Sequence, residues 1–233
     1  MKNHTIVSQE EWLIARKELL TKEKEFTRLR DKLSAERREL PWVKIDKDYI
    51  FGGEKGQQSL TDLFGNKSQL IIYHFMLGPD WDEGCPSCSF WADNFDGIDV
   101  HLAHRDIAFL VVSRGAYEKL AIYKKRMGWN FEWVSSTNSD FNYDMGVSFS
   151  VSEEEKENNE ITYNYRKQPY FIDELPGVSV FYKNDKGEIF HTYSSYSRGI
   201  DILNGAYNYI DLSPKGRDEK DGIMNWLRRH DEY

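Results

Sequence analysis

Two almost unbroken apolar runs, Gln69–Met76 (QLIIYHFM) and Asp106–Ser113 (DIAFLVVS), constrain the fold of this chain more than any other feature. Each has the length of a strand and offers no polar side to water, so each predicts a strand covered on both faces. Two such strands need layers above and below the sheet. The material for those layers follows each run in turn, as helix-patterned segments over Ser87–Phe95 and Ala116–Met127. Strand, helix, strand, helix is the order of parallel neighbours joined by crossovers, because parallel strands cannot be joined by a tight turn. Phe131–Val134 predicts a further short strand. Later, Val178–Tyr182 and Glu188–Tyr193 alternate in polarity on either side of the turn sequence KNDKG, the pattern of an antiparallel hairpin. The fold class that follows is α/β, a mixed sheet flanked by helices.

Other segments elaborate this core. Ser8 and Glu11 stand in the reciprocal spacing of a capping box and open a charged helix through about Glu39, ahead of Pro41. Trp12, Ala15, Leu19, Phe26, Leu29 and Leu33 give it one apolar stripe, which must lean on its own domain or on a second subunit. A homodimer is therefore one of two arrangements this helix predicts. Val43–Phe51 predicts a strand or hairpin, Ser59–Phe64 a short helix, Ile161–Tyr165 and Tyr170–Ile172 short strands, and Asp201–Tyr209 and Gly222–Arg229 helices. Ser150–Glu160 concentrates acidic charge without periodicity and predicts a mobile, solvated loop. The expected organisation is an N-terminal helical extension over 1–40 and a domain over 41–233, with an inserted acidic loop and hairpin near 150–175 and a C-terminal helical extension.

The 39 acidic residues against 31 basic ones, a net charge of −8, give no field that draws the chain to a phosphate backbone, so nucleic acid is not an expected partner. No apolar run approaches the roughly 20 residues of a membrane span. No apolar segment follows the basic start, and the only cysteines, Cys85 and Cys88, are too few and too close for a disulfide framework. Neither membrane insertion nor conventional secretion is expected, and the expected location is the cytoplasm. Gly52, Gly53 and Gly56 lack the spacing of a nucleotide-binding loop, so no cofactor is expected.

The sequence Cys85-Pro86-Ser87-Cys88 is the sharpest chemical feature. Proline suits the first turn of a helix, so Cys85 is expected at the helix start and Cys88 in its first turn, with the two sulfurs within disulfide reach. Unpaired N–H groups at a helix start favour a thiolate over a thiol, which makes Cys85 the expected nucleophile and Cys88 its resolving partner. Toward a protein or small-molecule disulfide, Cys85 forms a mixed disulfide that Cys88 releases. Toward a peroxide, Cys85 becomes a sulfenic acid with which Cys88 condenses. Either route leaves an oxidised pair that some thiol electron donor must reduce.

Arg114, just past the second apolar run, is expected at the same sheet edge, where a guanidinium stabilises a thiolate or polarises a peroxide oxygen; a structural ion pair is the competing reading. Arg198 is a second candidate of that kind. Asp80, Asp82 and Glu83 place acidic charge ahead of the pair, either as a proton relay or as an ordinary solvated turn. Trp81, Phe90 and Trp91 read either as an apolar docking rim or as core. A zinc site would need two more ligands, for example from His74, His101, His104 or His191, and no second cysteine pair is present; no metal is expected. His74 interrupts an apolar run and is the histidine expected to have a specific hydrogen-bond partner.

The runs YHFMLGPDWDEGCPSCSFWADNFDG, HLAHRDIAFLVVSRG, RMGWNFEWVSS, DFNYDMGVSF, SVFYKNDKGEIFHTYSSYSRGID and RRHDEY together resemble the DUF899 family of thioredoxin-like proteins, predicted dithiol-disulfide oxidoreductases, over roughly residues 5–233. The resemblance implies a thioredoxin-like sheet with the cysteine pair at the start of its first covering helix. It implies no particular substrate. Departures from the thioredoxin pattern are visible: Pro86 follows the first cysteine directly, and Pro176 stands about one position ahead of the proline that thioredoxins hold in cis before the strand facing their site. The eight residues LGPDWDEG between strand and cysteine are more like a peroxiredoxin approach loop. The expected function is a thiol-disulfide oxidoreductase. The alternatives are a peroxiredoxin-like peroxide reductase and a catalytically weak structural or interaction protein assembled through the first helix.

Overall fold

The computed structural model describes residues 4–150 and 160–233, and the chain divides into two compact units, Met1–Pro41 and Trp42–Tyr233. The first is the helix α1 (Gln9–Arg38). Its start is the capping box that the sequence spells out: the Glu11 N–H donates to Ser8 Oγ at 3.2 Å, and the Ser8 N–H donates to the Glu11 carboxylate at 2.9 Å. None of its residues is buried, and Trp12, Leu19, Phe26 and Leu33 keep an apolar row at seven-residue steps on its surface.

In the second unit, β1 (Val43–Ile45), β2 (Ile50–Gly53) and β3 (Gly56–Ser59) lead to α2 (Leu60–Leu63). The first apolar run forms β4 (Gln69–His74), and α3 (Pro86–Ala92) and α4 (Asp99–His104) carry the chain to β5 (Ile107–Ser113). After α5 (Tyr117–Arg126), β6 (Glu132–Ser135) and α6 (Phe141–Asp144) comes a separate two-stranded sheet, β7 (Glu160–Tyr163) and β8 (Arg166–Pro169). The hairpin β9 (Gly177–Lys183) and β10 (Ile189–Tyr196) returns to the main sheet; a 3-10 segment, Ser197–Leu203, and α7 (Gly205–Leu212) follow.

The eight-stranded sheet has the order β1-β10-β9-β4-β5-β6-β2-β3. Pairing is parallel where helices cross over, from β4 to β5 and from β5 to β6, and antiparallel where the hairpin adds β9 beside β4. This is a mixed sheet of thioredoxin-like architecture. The strand period of two divides the central runs between two cores. Leu70, Ile72, Leu110 and Val112 face one way, with Phe51, Phe141 and Phe181. Tyr73, Phe75 and Val111 face the other, with Cys88, Trp91 and Phe95 around α3 and with Leu120 and Tyr123 of α5. The cysteine helix therefore covers the centre of the sheet. Among the described residues, no helix is long and apolar enough to cross a membrane.

Four expectations need correction. Val43–Phe51 is no hairpin, since β1 pairs with β10 and β2 lies far across the sheet between β6 and β3. Tyr170–Ile172 is not a strand; Asn164 and Tyr165 both take left-handed conformations, φ 52° and 61°, and this tight turn folds Arg166–Pro169 back onto β7 instead. Gly222–Arg229 is not helical, because Gly222 and Met224 have φ of 120° and 62°, outside the helical region. The segment Asp201–Tyr209 is interrupted at Asn204, whose side chain caps α7 by accepting the Tyr207 N–H at 3.0 Å. Residues 151–159 of the expected acidic loop lie outside the described residues.

Candidate functional site

β4 ends at the middle of the sheet, and the loop from Leu77 to Gly84 brings the chain to the start of α3. The return is fixed by the Cys85 N–H, which donates to the Met76 carbonyl at 3.1 Å. Gly84 lies flat on aromatic rings: a Cβ there would come within 2.7 Å of Phe75 and 2.5 Å of Tyr123. Only glycine lets the loop descend that far. Cys85 is the residue that caps the helix, and Pro86 is its first helical residue. The Cys85 carbonyl accepts from both the N–H and the Oγ–H of Ser89, each at 2.9 Å. Cys88, one turn in, is 1% exposed, and its Sγ accepts from the Met76 N–H at 3.4 Å.

Both thiols are free, and they are unequal. The hydrogen bond that Cys85 receives from the Cys88 thiol is the largest influence on it; together with the N–H groups of Cys88 and Ser87, it outweighs burial and brings Cys85 down to about 6. Burial first, then the hydrogen bond to Cys85 and the charge of Cys85, push Cys88 well above the ordinary thiol range. At neutral pH the pair is one thiolate and one thiol, the distribution that an attacking sulfur and a resolving sulfur require.

A cavity of about 310 Å³ opens on the Cys88 side of the pair, lined by Ser87 and Cys88 but not by Cys85. It is lined mainly by apolar surface, with Tyr73, Cys88, Trp91 and Met224 among its walls. Pro176, which directly precedes β9, borders it through a trans peptide, and the exposed Arg198 stands at its edge, paired with Asp201 at 3.3 Å.

Arg114 does not line this cavity. Its guanidinium donates to the buried Glu174 carboxylate and to the Tyr143 hydroxyl, and its charge lies 4.8 Å from the centre of the Tyr143 ring. Glu174 also accepts from Ser148 Oγ at 2.7 Å. These are the contacts of a structural ion pair, and no cation is among the groups that lower Cys85. Trp91 is core, 3% exposed, with its Nε1–H donated to the Ile200 carbonyl at 2.9 Å. Phe90 and Trp81 are half-buried. His74 has its partner, Ser179 Oγ at 2.9 Å, and lies in the other core. Among the described residues, no group of three or more His, Cys, Asp or Glu side chains could hold a metal ion.

Two features of the site were not anticipated from the sequence. One is Tyr73, hidden within the apolar run of β4. The other is the C-terminal segment, whose Arg229 donates to the Gly84 carbonyl at 2.9 Å and to the Tyr123 hydroxyl at 3.0 Å, and pairs with Glu83 at 2.9 Å. Tyr123 continues this chain to Ser89 Oγ at 2.9 Å, and Ser89 to the Cys85 carbonyl. Arg126 reinforces it, pairing with Glu83 at 2.5 Å and Asp231 at 2.7 Å. Glu83 thus answers cations rather than the cysteines. The unusual run RRHDEY was the available signal.

A comparison with curated proteins found no match. Among solved structures, the chain is similar to the peroxidoxin BcpB from Mycobacterium tuberculosis at 11% identity and a TM-score of 0.47, over 73% of this chain and 97% of that one. It is similar to the bacterioferritin comigratory protein of Xanthomonas campestris at 12% identity and a TM-score of 0.45, over 66% and 84%. A PrxQ mutant from Xylella fastidiosa matches at 12% identity and a TM-score of 0.46, over 72% and 95%. With TM-scores below 0.5, these likenesses bear neither on the chemistry of the cysteines nor on their substrate. The family model that matches covers residues 1–233 in full, and the chain belongs to DUF899, described as bacterial proteins of unknown function.

Proposed function

We propose that the protein is a two-cysteine thiol oxidoreductase in which the Cys85 thiolate reduces a hydroperoxide and Cys88 closes the oxidised sulfur into a disulfide. The unequal ionisation of the pair carries this reading: Cys85 is lowered to about 6 while Cys88 stays protonated. The thiolate attacks the terminal peroxide oxygen, an S–O bond forms, the O–O bond breaks, and the departing alkoxide takes a proton to leave as an alcohol, or as water from hydrogen peroxide. Cys88 then forms the S–S bond as the S–O bond breaks, and the Cys88 proton leaves with the hydroxide as water. The pair has lost two electrons and the peroxide has gained two. A thiol donor must return them.

Access supports a peroxide over a protein disulfide. Cys85 is only partly exposed, and the cavity next to it, which Ser87 and Cys88 line, is small and mainly apolar. Exchange with a protein disulfide needs three sulfurs in line, with polypeptide attached to the outer two. Dithiol-disulfide exchange is the second reading, because the thiol-to-thiolate hydrogen bond between Cys88 and Cys85 serves it equally well. Arg114 is assigned no role at the sulfur; through Glu174 it holds the segment that delivers Leu175 and Pro176 to the cavity wall.

Rapid mixing with hydrogen peroxide, with a small organic hydroperoxide and with a protein disulfide tests the reading. Wild type should pass to the intramolecular disulfide with either peroxide, Cys88→Ser should stop at a sulfenic acid that dimedone traps, and Cys85→Ser should stay silent. Slow peroxide oxidation, no faster than that of free cysteine thiolate, beside efficient reduction of the protein disulfide selects the second reading. Indifference to all three oxidants overturns both.

A further inference from the structure

Tyr73 is fully buried, on the face of β4 that meets α3. Its ring packs edge-on against Phe95 with centroids 5.0 Å apart, a contact that phenylalanine would make as well. Its hydroxyl has no hydrogen-bond partner among the described residues. A buried hydroxyl without a partner costs stability, and such groups are rare in folded proteins. This one borders the same cavity as Cys88 and faces the Cys88 sulfur without reaching hydrogen-bond geometry in the dithiol state.

The chemistry of the pair shows when a partner arises. In the resting state the Cys88 proton is shared toward the Cys85 thiolate. Once Cys85 is oxidised that acceptor is gone, and Cys88 must develop negative charge in a buried place where the Met76 N–H donates to it at 3.4 Å and the Tyr73 hydroxyl is the neighbouring side chain that favours its thiolate. Tyr73 stays protonated, because burial and the two cysteines all disfavour its phenolate. It therefore remains a donor throughout.

We propose, on the reading of Cys85 as nucleophile and Cys88 as resolving sulfur, that Tyr73 is a catalytic residue of the resolving step, its hydroxyl donating the hydrogen bond that stabilises the Cys88 thiolate as it attacks oxidised Cys85. The Cys88 S–H bond breaks and the S–S bond forms. The bond from Cys85 to its leaving group breaks, and the Cys88 proton goes to that leaving group, whether hydroxide or a thiolate. Tyr73 ends the step with its own proton.

The test uses dithiobis-nitrobenzoate on the full chain, so that it does not depend on the natural oxidant. Attack by Cys85 releases one coloured nitrothiobenzoate, and resolution by Cys88 releases a second. Tyr73→Phe should leave the first release at the wild-type rate, slow the second by roughly 10- to 100-fold, as expected for loss of one charge-assisted hydrogen bond, and move the pH midpoint of the second release upward. Its Tm should equal or exceed that of wild type, since the lost hydroxyl had no partner. An unchanged second release across the pH range overturns the proposal, as does a joint fall of both rates with a lowered Tm. A single release from wild type also overturns it. Indifference of wild type to peroxides beside an intact two-step release removes the proposed peroxide reaction and leaves the role of Tyr73 standing.

Discussion

A thiolate at Cys85 depends on a neighbour that is itself a thiol. The Cys88 hydrogen bond is the largest influence holding Cys85 down to about 6, and the helix N–H groups are secondary. The rate of Cys85 alkylation by iodoacetamide should therefore rise with pH through a midpoint of about 6, well below that of an ordinary cysteine. Cys88→Ala should move the midpoint upward. An unmoved midpoint would give the helix start the larger share. The sign for stability follows: the folded state holds the Cys85 proton less tightly than the unfolded chain, so this contribution is complete above about 8.5 and is lost as pH falls through 6. The place of the pair at the helix start was legible because CxxC with a proline inside it carries helix position and spacing together. Tyr73 was not legible: one hydroxyl in an eight-residue apolar run looks like packing until its lack of a partner is seen. Arg114 was misleading in a similar way, since sequence places it near the correct sheet edge but says nothing of Glu174, 60 residues on, which takes up its charge.

The helix α3 is held at its start by elements distant in sequence. Arg229 reaches the Gly84 carbonyl, the Tyr123 hydroxyl and Glu83, with only 14% of its side chain exposed. Arg229→Met keeps the stem and removes these bonds, at a cost of about 1–3 kcal/mol, so Tm should fall by roughly 5 °C in a thermal melt. A change within 1 °C or so would mark the clasp as incidental. Gly84→Val tests the same loop from the other side. With Phe75 and Tyr123 already within 2.7 Å of any added Cβ, the loop must lift, and the first nitrothiobenzoate release by Cys85 should slow along with the second. An unaltered first phase would show that the loop yields without moving the sulfur. Elements were legible where burial is two-sided, as in β4 and β5, or where turn chemistry is explicit, as in the β9–β10 hairpin. They were lost where single residues in left-handed conformation redirect the chain, at Asn164 and Tyr165 before β8 and at Met224 in the tail. Those positions carry no glycine to announce them.

At the scale of the whole sheet, a line of side chains joins three strands through the core opposite the cysteines. His74 Nε2 meets Ser179 Oγ at 2.9 Å, Ser179 meets Ser194 Oγ at 2.9 Å, and His191 Nε2 meets Ser194 at 2.7 Å. These residues stand on β4, β9 and β10, the strands whose positions define the mixed sheet. Burial is the main cause that brings His74 down to about 3, with the His191 ring adding to it, and burial also lowers His191. His74 is therefore neutral in the folded protein near pH 5, and His191 is shifted in the same direction. In the unfolded chain each takes up a proton below about 6.5, so the unfolded state binds more protons as the medium becomes acid. Stability is then fully present above about 6.5 and declines as pH falls toward 3, by about 1.4 kcal/mol per pH unit for each histidine that stays neutral. Urea unfolding at pH 7, 6, 5 and 4.5 should show this decline in wild type. His74→Gln retains a hydrogen-bonding group toward Ser179 but cannot titrate, so its stability should fall less steeply over the same range, by about one proton, whatever its value at pH 7. Equal slopes in the two proteins would mean that His74 protonates without leaving the core, and that the acid sensitivity of this sheet arises from its carboxylates.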